Sequence, residues 1–71
     1  MMKKIYAEMA GTVFQLLVNE GEQIEEGQVT VVLESMKMEI PVESKFAGEI
    51  KKIHVSEGDF VNEGDILITI G

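Results

Sequence analysis

No cysteine occurs among the 71 residues, so no disulfide holds the chain together. At this length one apolar core is only marginally sufficient without such staples. The absence fits a reducing, cytoplasmic setting. Basic residues are also scarce: six Lys and Arg stand against thirteen Asp and Glu, for a formal net charge of −7. Nucleic acid and anionic membrane surfaces are therefore poor partners, because both are bound through basic patches. An acidic surface instead keeps a protein dissolved and can steer it toward basic clefts on partner enzymes. Long apolar runs are missing, with nothing near the roughly 20 residues of a membrane span. The opening Met1-Met2-Lys3-Lys4-Ile5-Tyr6-Ala7-Glu8 has lysines but not the apolar stretch of a signal peptide. The expectation is a soluble, cytoplasmic protein. A single histidine, His54, with no cysteine or second histidine beside it, argues against a metal centre or histidine catalysis.

What the chain does have is an internal repeat. Sliding it along itself by about 37 positions sets Ala10-Gly11-Thr12-Val13 on Ala47-Gly48-Glu49-Ile50 and Val18-Asn19-Glu20-Gly21-Glu22 on Val55-Ser56-Glu57-Gly58-Asp59. Glu26-Gly27-Gln28-Val29 then meets Glu63-Gly64-Asp65-Ile66 without a gap. Residues 1–34 thus correspond to 38–71 within one domain, leaving Ser35, Met36 and Lys37 as the joint. Val13, Leu16, Val18, Ile24, Val29, Val31 and Leu33 are matched by Ile50, Ile53, Val55, Val61, Ile66, Ile68 and Ile70, and Ile5 by Val42. Neighbouring positions exchange freely, as in Phe14 for Lys51, Leu17 for His54 and Gln23 for Phe60. The repeat therefore marks the inward face by itself.

Glycines punctuate segments that are short and rich in Val and Ile, which makes the chain all-β. Strands are expected at 2–7, 12–19, 23–25, 28–34, 38–43, 49–56, 60–62 and 65–70. The apolar spacing 13, 16, 18, recurring as 50, 53, 55, carries one residue too many for strict alternation and predicts a β-bulge or bend in both copies. Turns at Asn19-Glu20-Gly21-Glu22 and Glu26-Gly27-Gln28, and at their counterparts, each place a glycine where positive φ is needed. Their carboxylates lack the ligand spacing of a calcium loop. Pro41 cannot donate to a ladder, so its strand belongs at an edge or a bulge. Two interlocked four-strand copies related by a pseudo-twofold axis give a flattened β-barrel, or sandwich, of two four-stranded sheets.

The strands at 28–34 and 38–43 form a hairpin with Met36-Lys37 near its tip. Two-residue hairpins favour Asn-Gly or Asp-Gly, so Met-Lys violates the local rule, and such violations concentrate at functional sites. A lysine there offers a primary amine on a flexible stem, clear of the body of the domain. Met36 has no repeat partner and is expected to be displayed; Met38 corresponds to Met1 and could pack partly into the core.

Glu34-Ser35-Met36-Lys37-Met38-Glu39 resembles the Ala-Met-Lys-Met hairpin of biotinyl domains, the family of biotin carboxyl carrier proteins and biotin/lipoyl attachment domains. The similarity extends over nearly the whole chain, through the Gly-x-x-Val strand, the Glu-Gly-Asp turns and the repeated halves. It implies a flattened β-barrel with the modified lysine on a tight hairpin. It further implies biotin on Lys37, with Met36 and Met38 flanking it as biotin protein ligase prefers. Ser35 stands where alanine is usual, and Lys45-Phe46-Ala47-Gly48 replaces the commoner Ala-Pro and Ser-Gly pattern. The extra "thumb" segment and the Ala/Pro-rich leader of some bacterial acetyl-CoA carboxylase carriers have no counterpart, which suits a minimal attachment protein or a carrier domain of a larger carboxylase.

The implied function is a swinging carrier, expected as a monomer. Ligase joins biotin to Lys37, biotin carboxylase loads CO2 from bicarbonate onto it, and a carboxyltransferase passes the group to an acceptor. The domain would be no enzyme itself; it tethers the cofactor at high effective concentration. A lipoyl carrier shares fold and lysine, although lipoyl domains usually show Asp-Lys-Ala where this chain has Met36-Lys37-Met38. An unmodified interaction module is the third alternative.

Overall fold

The computed structural model describes residues 2–71. It contains eight strands: β1 (Lys3–Tyr6), β2 (Gly11–Leu16), β3 (Gln23–Ile24), β4 (Val29–Ser35), β5 (Met38–Glu43), β6 (Gly48–Ile53), β7 (Phe60–Val61) and β8 (Ile66–Ile70). They form two four-stranded antiparallel sheets, ordered β1-β8-β6-β3 and β5-β4-β2-β7, in a body measuring 34 × 17 × 17 Å. The two-sheet, all-β architecture expected from the sequence is the one found. Pro41 lies in β5, at the edge of the second sheet, where its missing donor costs no ladder bond.

The ladder registers obey the repeat. Lys3↔Ile70 and Ile5↔Ile68 in one sheet correspond to Ile40↔Leu33 and Val42↔Val31 in the other. The expected bulge is present in both long strands. Val13 faces Leu33 and Gln15 faces Val32, leaving Phe14 unpaired; Ile50 faces Ile70 and Lys52 faces Thr69, leaving Lys51 unpaired. β2 and β6 are shorter than the ranges 12–19 and 49–56. Past their ends the backbone still donates from Leu17 to the Thr30 carbonyl and from His54 to that of Leu67, each at 2.9 Å.

The core contains Val13, Val18, Ile24, Val31, Leu33, Ile50, Val61, Ile68 and Ile70, all marked by the repeat, with Leu16, Ile53 and Val55 partly buried against it. Leu67 and Thr30 are fully covered as well, although alternation assigns them outward. They are equivalent residues, each left unpaired by a second bulge, between Val29 and Val31 in β4 and opposite Ile5 and Tyr6 in β8. A bulge re-aims the side chain it carries. The Thr30 hydroxyl donates to the Val42 carbonyl at 3.1 Å, so its burial leaves no polar atom unsatisfied.

The halves are tied to each other rather than stacked. β7 pairs only with Gly11 and Thr12, so β2 would present free N–H groups beyond it; the Leu16 N–H donates instead to the Glu57 carboxylate at 3.0 Å. Ile53 N–H donates to the Glu20 carboxylate at the same distance in the other copy. Each turn carboxylate thereby closes an edge on the opposite half. Gly21 (φ 88°) and Gly58 (φ 94°) adopt the positive φ expected of them. Their N–H groups donate across the halves to the Ile50 and Val13 carbonyls at 2.8 Å. No atom lies within 4 Å of the Cβ that either would gain, so only backbone strain opposes a side chain there. Gly21→Val and Gly58→Val should each lose about 1 to 3 kcal/mol. Denaturant titration should show both midpoints fall at unchanged slope; unaltered midpoints would contradict the turn geometry.

Candidate functional site

β4 and β5 continue pairing to the end of the hairpin, Glu34 opposite Glu39 and Ser35 opposite Met38, which leaves Met36-Lys37 as a two-residue loop. Both loop residues have positive φ, 53° and 64°. This is what a tight hairpin demands and what Asn-Gly ordinarily supplies. For side chains with a Cβ the left-handed region costs about 1 to 2 kcal/mol per residue. The ladder beneath holds them in it. Met36 is 92% exposed and Lys37 is exposed beside it. Met38 is 65% exposed, so the partial core packing considered for it is not found; its repeat partner Met1 lies outside the described residues.

The hairpin root is held by close backbone approach. Gly11 lies on β2, whose neighbour Thr12 pairs with Glu34, and a Cβ on Gly11 would stand 2.9 Å from the Glu34 carbonyl oxygen. Only glycine lets β2 come so near the base of the hairpin. Glu34 and Glu39, both exposed, face each other in the second row below the loop. Like charges directly opposed weaken a ladder. Among the described residues the ion pairs join Lys45 to Glu8 at 3.2 Å and Lys51 to Glu49 at 3.1 Å; Lys37 belongs to neither. Its amine is free to be held by a partner.

β2 and the segment after it run from the hairpin end to the turn at 19–22. That turn lies at the other end, where Glu49 and Gly71 exchange two backbone hydrogen bonds of 3.0 and 2.9 Å. Lys37 and Gly71 therefore occupy opposite ends.

Among the described residues nothing else gathers chemistry in the same way. His54 Nε2 lies 2.8 Å from the Thr69 hydroxyl, a partly buried hydrogen bond between the residue just past β6 and β8. The turn carboxylates of Glu22, Asp59 and Asp65 each accept a backbone N–H three residues upstream, and among the described residues no cluster could hold a metal ion. A cleft of about 620 Å³ opens between β1 and β5, lined symmetrically by Lys4, Ile5 and Tyr6 and by Pro41, Val42 and Glu43. It does not include the hairpin tip. No helix among the described residues is long and apolar enough to cross a membrane. The Gly11 contact and the opposed carboxylates are features the sequence reading missed; the pairing of Gly11 with Gly48 in the repeat was the available signal for the first.

Comparison with known proteins adds the following. A family profile described as "biotin-requiring enzyme" matches residues 1–70. The biotinylated protein TB7.3 of Mycobacterium tuberculosis is 55% identical over 42 residues, 59% of this chain and 59% of that protein, so the match spans little more than half of either. Among solved structures, Kluyveromyces lactis urea carboxylase superposes with a TM-score of 0.92 at 28% identity, over 100% of this chain and 6% of that one. A single-chain, multi-domain long-chain acyl-CoA carboxylase gives a TM-score of 0.89 at 32% identity, over 96% of this chain and 7% of the other.

Proposed function

The chain belongs to the family of biotin-requiring enzymes, and from that premise we propose that residues 1–71 form a single carrier domain on which Lys37 holds biotin in amide linkage. The supporting observation is Lys37 itself, exposed on a two-residue loop of positive φ with Met36 and Met38 displayed on either side. An amine to be acylated must reach into another protein's active site, and the hairpin presents it without cover from the barrel. Among the described residues Lys37 joins no ion pair, and in this reading a biotin protein ligase supplies both the activated carboxyl and the proton acceptor. The Lys37 amine, once deprotonated, attacks that carboxyl, forms the amide and releases the activating group.

When bound, biotin supplies a ureido nitrogen that takes up and releases a carboxyl group. The partners in the scheme are a biotin carboxylase, which loads that group, and a carboxyltransferase, which removes it. The domain contributes tethering. The strained, fully paired hairpin fixes where the arm begins, and the arm's reach sets its effective concentration at both active sites. The domain acts here as a cytoplasmic monomer, catalysing neither transfer. Biotin is favoured over lipoate by the apolar Met36 and Met38 beside the lysine, where a lipoyl carrier would have Asp and Ala.

The test is intact mass. Purified protein incubated with ATP and either biotin with its ligase or lipoate with its ligase should gain one biotinyl group in the first mixture and nothing in the second. Lipoylation, or no gain in either mixture, would overturn the reading.

A further inference from the structure

The repeat supplies an internal control, because equivalent positions in the two sheets have the same register and the same neighbours. Where the fold demands a side chain, both copies provide it. Where the copies differ on an exposed surface, the fold is indifferent. Three such differences lie in sequence along the exposed side of β7, β2 and the residue just past the end of β2. Phe60 is 66% exposed where the other copy has Gln23; Phe14, in the bulge, is 43% exposed where the other has Lys51; Leu17 is 48% exposed where the other has His54. The contrast reaches the strand beneath: Val32 takes the place of Thr69, so a hydrogen-bonded His54–Thr69 pair in one sheet is replaced by Leu17 and Val32 in the other. Solvent-exposed aromatics that folding does not require mark interaction surfaces.

The strip lies on the sheet that carries the hairpin. Phe60 pairs with Thr12, Thr12 with Glu34 and Glu34 with Glu39, one continuous row across the sheet, directly below Ser35 and Met38. At the β5 end the exchange is reversed. Glu39 and Glu43 stand where the other copy has the exposed Met2 and Tyr6. The sheet that carries Lys37 thus presents an apolar strip that starts at the Phe60 row near the hairpin and runs toward the far end, with a carboxylate border. The opposite sheet has Lys4 and Lys52 in one row on either side of Thr69.

We propose that the strip of Phe60, Phe14 and Leu17 is the docking surface for the enzyme that acylates Lys37, and that this enzyme meets it with an apolar patch rimmed by basic side chains. The proposal rests on the reading of Lys37 as the attachment lysine. An enzyme acting on the amine must come within one side-chain length of the hairpin backbone and so passes over the adjacent row; enzymes acting at the far end of an attached arm need not. Complementarity sets the partner's charge, since Glu34, Glu39 and Glu43 border the strip. A second copy of this chain is disfavoured, because it would offer another acidic surface of a chain with net charge −7 and not the basic rim that the carboxylate border calls for.

The repeat also dictates the variants: Phe60→Gln, Phe14→Lys and Leu17→His each install the residue that the equivalent backbone already carries. Biotinylation kinetics with purified biotin protein ligase, biotin and ATP should show, for the triple variant, a KM raised about tenfold or more at unchanged kcat, because docking is lost while the amine and its loop are intact. Phe60→Gln alone should account for a measurable part of the rise, and it serves if the triple variant melts early. Gln23→Phe, the reverse exchange in the other sheet, should leave KM unchanged. Equal KM for wild type and variants, with wild type labelled, would overturn the docking surface and leave the attachment lysine standing. Failure of wild type to be labelled would overturn both. A wild-type dimer in sedimentation at assay concentration that the triple variant abolishes would assign the strip to self-association and overturn the proposal.

Discussion

Replacing Lys37 with arginine should abolish biotinylation outright, with no shift in intact mass and no streptavidin signal, while the protein keeps its fold. Arginine retains the positive charge, the unbranched stem and the tolerance of the loop, but its guanidinium stays protonated in proteins and offers no nucleophilic lone pair. Lys37→Ala should give the same loss without the charge. The remaining lysines do not substitute. Lys45 and Lys51 are in ion pairs, Lys3 lies with its ammonium 4.9 Å from the Phe46 ring centre, and Lys4 and Lys52 lie across the opposite sheet. None stands on a two-residue hairpin loop. Biotin recovered on either variant would remove the assignment.

The second large effect is expected from Met36→Asp, which should slow modification about tenfold to a hundredfold. A carboxylate would then sit where the partner expects a thioether, and losing that contact while desolvating a charge costs roughly 1 to 3 kcal/mol. The backbone makes this a clean substitution. Met36 has φ 53°, a region that Asp and Asn tolerate better than Met does. The aspartate protein should therefore be at least as stable as the wild type, and slower labelling could not be ascribed to a damaged hairpin. Met36→Asn separates charge from the loss of the apolar contact: it should fall between the two. Met38→Ala should cost less than Met36→Asp, because Met38 lies at the paired end of β5. Equal rates for all four proteins in a purified ligase assay would show that the enzyme reads only the lysine's position, and would take away the main support for biotin over lipoate.

The repeat makes the two-sheet fold and most of the core legible in the sequence, because each apolar position is stated twice. Strand alternation then failed at Thr30 and Leu67. The bulge at Phe14 was announced by apolar spacing, but the second bulge carries no such mark: Val29, Val31 and Leu33 alternate perfectly around it, and only the partner strand's register betrays the extra residue. Glu20 and Glu57 were legible as turn residues and not as edge closures, since their acceptor role depends on how short β3 and β7 turn out to be. At the hairpin, the mismatch between Met-Lys and the turn it occupies pointed straight to the loop. The lysine's surroundings were not visible: the Glu34–Glu39 opposition and the Gly11 approach arise from pairing across strands that are distant in sequence.

Strand order has a consequence for how this chain comes into being. Each half supplies the adjacent central pair of one sheet, β2 with β4 or β6 with β8, and both outer strands of the other sheet. A ribosome that has delivered only the first half has therefore released one possible central pair with bare flanks and two outer strands with nothing to flank. Such a nascent segment cannot bury its apolar face, and its open backbone invites mispairing with neighbouring chains. Folding must wait for almost the full length to emerge and then close many distant pairings in one concerted step, slowly for so short a chain. The negative charges strewn through both halves keep the waiting chain dispersed in the interval.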